Sequence, residues 1–132
     1  MEAKDYQRQC VTIDDQNLHV EFCRVPADFA YWSSQYAGAK DCYMKAKLER
    51  EITRARLRME LREMLVQSGE RVTEARIDSE VDVNPEWEDV RTREIEAEID
   101  VVRLHGVLES IRTKREMLIS LGAHVRQEMK AI

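Results

Sequence analysis

KDCYMKAKLEREITRARLRMELR, residues 40 to 62, decides how the rest of the chain is read. It holds eight basic residues, Lys40, Lys45, Lys47, Arg50, Arg54, Arg56, Arg58 and Arg62, against four acids, Asp41, Glu49, Glu51 and Glu60. The stretch therefore carries +4 in a chain of −5, and everything else sums to −9. It has no glycine and no proline, and most of its residues are good helix formers. Arg50, Arg54, Arg58 and Arg62 recur every fourth residue, which sets them on successive turns of one helical face. Met44, Leu48, Ile52, Ala55 and Met59 recur at three and four on another face. One face suits a polyanion and the other suits a partner helix.

Outward from this stretch the helix signal continues. Between Ala27 and Gln67 only Gly38 interrupts it, which predicts a helix of about 40 residues, or about 60 Å. That exceeds the width of a compact domain of this size, so an elongated hairpin, an oligomer or both is expected. Phe29, Trp32, Tyr36, Ala39, Tyr43 and Ala46 form an aromatic seam along its first half. The Val25-Pro26 step predicts a break, with a short helix over Val11 to Arg24 capped at Thr12 and a loose lead before it. Ser68-Gly69 ends the long helix, and Thr73 opens a short one. Asn84-Pro85, followed by Glu86, Glu88 and Asp89, starts a second long helix.

In that second helix Ala97, Val101, Leu104, Leu108, Ile111, Arg115, Leu118, Gly122, Val125 and Met129 alternate steps of four and three. The period predicts packing against a partner, and Val101, Leu104, Leu108, Ile111, Leu118 and Val125 are the expected oligomerisation residues. Gly122 is an expected end or kink. The fold expected is all-α: a single helical domain built as an elongated long-helix hairpin with short accessory helices, assembling as a homo-oligomer. Its parts are a lead and short helix over 1–25, a long basic helix over 26–68, a connector with a short helix over 69–84, and a second long helix over 85–132. A hairpin alone would leave Leu57, Leu61, Met64 and Leu65 wet together with the aromatic seam, a second reason to expect association.

The composition agrees. Charged residues are 36% of 132, with four glycines, two prolines and eight aromatics, which fits long helices better than a sandwich or barrel. Three cysteines, Cys10, Cys23 and Cys42, have neither metal spacing nor an even count, which predicts reduced thiols packed as small apolar groups. There is no apolar run of membrane-spanning length and no apolar signal core at the start. A cytoplasmic protein without a membrane association is expected.

No catalytic constellation emerges. Glu94, Glu96, Glu98 and Asp100 sit at steps of two, which scatters them around a helix. His19, His105 and His124 lack metal-site partners, and there is no phosphate-binding glycine loop. The expectation is no enzyme, no metal and no cofactor. The arginine row is weighed between phosphate recognition and an ordinary solvated face. Trp32, Tyr36 and Tyr43 could stack bases, but their seam spacing marks them as core.

Three elements taken in order resemble the phage recombination mediators of the UvsY type. Val11, Ile13, Asp14, Leu18 and Glu21, followed by Trp32, are similar to that family's amino-terminal part. Arg54-Ala55-Arg56-Leu57 resembles its DNA-binding element, and Gly106-Val107-Leu108-Glu109-Ser110-Ile111-Arg112 resembles a stretch near its carboxyl end. Thr73 to Pro85 lies outside the resemblance. The resemblance implies a protein that binds single-stranded DNA as a ring-like homo-oligomer. It implies contact with a single-strand-binding protein and loading of a RecA-like recombinase in its place, in the host cytoplasm for a phage-encoded chain. The expected DNA contacts are Arg50, Arg54, Arg56 and Arg58, flanked by Lys47 and Arg62. A coiled-coil assembly protein without DNA binding is the alternative. A metal-dependent nuclease using the Glu94 to Asp100 carboxylates is a distant third.

Overall fold

The computed structural model describes residues 2–131, and among them every regular element is a helix. There are four: α1 (Ala3–Val11), α2 (Leu18–Gln67), α3 (Glu74–Asp82) and α4 (Pro85–Ala131). The chain forms two compact units, one from the residues up to Gly38 together with those from Val102 on, the other from Ala39–Val101.

Local chemistry sets most of the boundaries. Thr12 ends α1, donating from both its backbone N and its Oγ1 to the Arg8 carbonyl at 3.1 and 2.6 Å. It was expected as an N-cap; the non-helical stretch after Thr12 makes it a C-cap instead. Asp14 accepts from the Gln16 backbone at 3.1 Å and the Asn17 side chain at 2.8 Å, shaping the turn that leads into α2. α2 ends in a left-handed Gly69 (φ 71°), where Glu70 N reaches the Leu65 carbonyl and Gly69 N reaches that of Val66. This paired C-terminal closure needs a positive φ that glycine adopts without strain. Thr73 Oγ1 caps α3 by accepting from Arg76 N at 3.2 Å, and Asn84 Oδ1 caps α4 by accepting from Glu86 N at 2.9 Å. Both caps match the sequence expectation.

Two expected interruptions are absent. α2 runs through Pro26, and α4 runs through Gly122. Proline in a helix interior removes one backbone bond and crowds the preceding turn. Here its neighbours offset that cost: Val25 and Trp32 are buried and Phe29 packs on the same cluster. Gly122 lies against the Phe22 ring, and a Cβ there would meet that ring at 3.6 Å.

In the first unit α1 packs on the opening part of α2 and the closing part of α4. The core is Cys10, Val25, Trp32, Val107, Leu108, Ile111 and Leu118. Phe29 lies near Arg112 and Tyr36 near His105, so the two long helices run antiparallel within this unit. Tyr6 of α1 stacks on Trp32 at 5.9 Å, with Tyr31 edge-on to both. A buried ion pair crosses the core. Lys114 Nζ lies 2.7 Å from Glu21 Oε2 and donates to the Cys10 carbonyl at 3.1 Å, with side-chain exposures of 2% and 5% for Lys114 and Glu21. Cys23 and Cys42 are exposed; of the three cysteines only Cys10 packs inside.

In the second unit α3 lies over the end of α2 and the start of α4. Ile77 and Val81 of α3 are fully buried among Leu57, Leu65, Trp87 and Val90, with Leu61 packed beside them. The apolar surface expected to be wet at Leu57, Leu61 and Leu65 is thus covered within the chain, and Met64 alone of that group is exposed. Arg50 to Glu94 and Arg56 to Glu86 make the long helices antiparallel here too.

Candidate nucleic-acid interface

The six basic residues expected to contact DNA all lie on α2 within the second unit. The fourfold spacing gathers Arg54, Arg58 and Arg62 on the side of α2 that faces α3. Arg54 Nη2 lies 3.6 Å from Asp78 Oδ1, and its guanidinium sits 5.4 Å from the centre of the Trp87 ring. Arg58 forks between Glu74 and Asp78. Arg62 Nη2 reaches Glu74 Oε1 at 2.6 Å. Glu74 and Asp78 are four apart on α3, and their spacing matches that of the arginines.

The remaining residues turn elsewhere. Arg50 is half-buried, with Nε 3.0 Å from Glu94 Oε2 on α4. Arg56 bonds Glu60 along its own helix at 3.0 Å and also pairs with Glu86. The Glu60 hydrogen bond is the first cause that holds the Arg56 guanidinium above its ordinary pKa, with Glu86 adding to it. Lys47 is exposed. Of the acids on α2 itself, Glu60 pairs with Arg56 and Glu51 Oε1 lies 3.8 Å from Arg50 Nη2, while Glu49 is turned to Arg93 at 2.9 Å.

The four carboxylates that hold the row, Glu74, Asp78, Glu86 and Glu94, are the residues a single-helix reading does not supply. The signal for two of them was present: an i, i+4 acid pair placed after a turn from an i, i+4 arginine row. Of the three aromatics weighed for base stacking, Tyr43 is half-buried on α2 in this unit and the other two lie outside it. Trp32 is buried in the first unit, and Tyr36 there is half-buried beside His105.

The expected oligomerisation residues divide. Leu108, Ile111 and Leu118 are buried in the first unit's own core, with Leu104 packed against it. Val101 is half-buried and Val125 is exposed. Among the described residues no group of histidine, cysteine or acidic side chains could hold a metal ion, and the Glu94 to Asp100 carboxylates diverge, with Glu94 turned to Arg50. No helix is long and apolar enough to cross a membrane among the described residues.

No family model matches the chain, and neither the curated proteins nor the solved structures compared with it give a match.

Proposed function

We propose that this chain is a recombination mediator. It binds single-stranded DNA as a homo-oligomer, of the ring type implied by the resemblance, and promotes loading of a RecA-like recombinase onto strand covered by a single-strand-binding protein. The observation that carries the reading is the set of arginines on α2, held by carboxylates of α3 and α4 and still partly open to solvent. The Arg54, Arg56 and Arg62 side chains are 44–53% exposed. Ion pairs this exposed add little net stability, because water screens the charges and two long side chains must be held still. A phosphate offers the same guanidinium a comparable forked partner. A strand can therefore replace the carboxylates at modest cost. One copy supplies few phosphate contacts, and several copies on one strand raise the effective concentration without new contacts.

The test is anisotropy of a labelled single strand across a salt series. The variant carries Arg54→Glu and Arg56→Glu together, with circular dichroism to check the fold. The expected result is weaker binding and a log-log salt slope shallower by about 1.4, for two lost phosphate contacts at roughly 0.7 each. Unchanged affinity from the folded variant removes the row from the strand site.

One observation favours a second reading. Arg50, Arg54, Arg56, Arg58 and Arg62 each have a carboxylate partner, as they would in a helical assembly protein whose arginines only join helices. That protein forms oligomers and binds no strand even at low salt.

A further inference from the structure

We propose that Trp87 is a positioning residue of the strand site, holding the Arg54 guanidinium ready for a phosphate. The inference rests on the strand-binding reading above and deepens it. It divides the arginines that face α3 between reading a strand and fastening a helix.

Arg54, Arg58 and Arg62 share one side of α2 but are not held alike. Arg58 is the least exposed of the three, its side chain 27% open, and it donates to both Glu74 and Asp78. Arg62 donates to Glu74 at 2.6 Å. The Arg54 guanidinium makes no hydrogen bond among the described residues. Asp78 Oδ1 lies 3.6 Å from it, beyond hydrogen-bond reach, and already accepts from Arg58. Glu51, one turn back on α2, lies beside Arg50 at 3.8 Å. The Arg54 side chain is 45% exposed, so its donors are open to a ligand where those of Arg58 are engaged.

What holds Arg54 is the indole. Its guanidinium carbon lies over the Trp87 ring, 5.4 Å from the centre. Trp87 stands in the first turn of α4, 5% exposed, in the cluster with Leu57, Ile77, Val81 and Val90. That packing fixes the ring, and the arginine settles on it. An aromatic face attracts a guanidinium and leaves its N–H groups free to donate. An arginine held this way has given up side-chain freedom before a phosphate arrives, so binding costs it less. A lysine at the same position would keep the charge and lose the planar fork. The indole Nε1 is buried without an acceptor, so a phenylalanine in its place keeps a ring and forfeits no hydrogen bond.

Anisotropy of a labelled oligothymidylate across a salt series tests this on the full chain, with circular dichroism on each variant. Arg54→Lys is expected to weaken binding by about 2–5-fold more than Arg56→Lys, which stands over no ring among the described residues. The salt slope should not change, because the charge stays. Trp87→Leu should lower affinity by a similar factor, and Trp87→Phe should recover most of it. In an Arg54→Gln background Trp87→Leu should cost nothing more. An Arg54→Lys variant that binds no worse than Arg56→Lys overturns the proposal. So does a Trp87→Leu loss that persists in the Arg54→Gln background, which would make the indole a prop of the fold alone. Should Trp87→Leu fail to fold, the two lysine variants decide by themselves. A wild type that binds no strand at low salt removes the strand reading and this inference together. Strand binding without a special loss at Arg54→Lys removes this inference and leaves that reading standing.

Discussion

Lys114 shows how little of a residue's role its type announces. In the sequence it is one lysine near the end of a charged helix. In the fold it is inside, held by Glu21 and by the last turn of α1 through the Cys10 carbonyl. A cation at a helix C-terminus is favourable, and its counter-ion offsets the cost of burial. Removing one partner strands the other. Lys114→Ala should destabilise the chain by about 3–5 kcal/mol, read from urea melts. Lys114→Met with Glu21→Leu should recover most of that loss, because neither charge is then left unpaired. Glu21 was legible as part of a motif but not as half of a buried pair, since its partner lies far along the chain. Asp14 was legible in the same motif, and here the reason is local. The Asn17 side chain and then the Gln16 backbone N–H hold its carboxyl below the ordinary 3.8. A depressed carboxyl adds stability that is present above the unfolded value and is lost as pH falls through the folded one. The stability gap between wild type and Asp14→Ala should therefore be seen at pH 7 and should close in melts taken well below pH 3.8.

Elements were legible wherever their ends are decided within a few residues. Gly69, Thr73 and the Asn84-Pro85 pair each act on backbone groups of the next turn, and each stands where the sequence placed it. Pro26 was misread because its local preference is real but is overruled by burial elsewhere on the same helix. This makes α2 improvable. Pro26 is exposed, so Pro26→Ala should restore a donor for the Phe22 carbonyl without touching the core. The thermal midpoint should rise, with a gain of up to about 3 kcal/mol. An unchanged midpoint would mean that α2 has already relaxed around the ring. The placement of α3 was beyond a periodicity argument. Its nine residues carry the right cap, but nothing local says that Ile77 and Val81 cover Leu57 and Leu65.

At the scale of the whole molecule, the same acids that order the arginine row compete for it. Glu74 and Asp78 hold Arg54, Arg58 and Arg62 at sites a phosphate would otherwise take. Under the strand-binding reading, Glu74→Gln with Asp78→Asn should raise single-strand affinity and steepen its fall with salt, measured by anisotropy. Under the assembly reading the same pair of changes should leave DNA unbound and cost stability alone. The net acidity of the chain therefore does not decide between the readings. What matters is how cheaply these particular carboxylates are displaced.

The chain path through the two units has a consequence for biosynthesis. The second unit is one continuous run, Ala39–Val101, and can close as soon as that run has left the ribosome. The first unit cannot. Cys10, Val25 and Trp32 have their partners at Val107, Leu108, Ile111 and Leu118. At about 5–20 residues per second the early residues wait several seconds for them. During that interval the Trp32 face is open on the nascent chain. A chaperone meeting this protein during synthesis meets that face first.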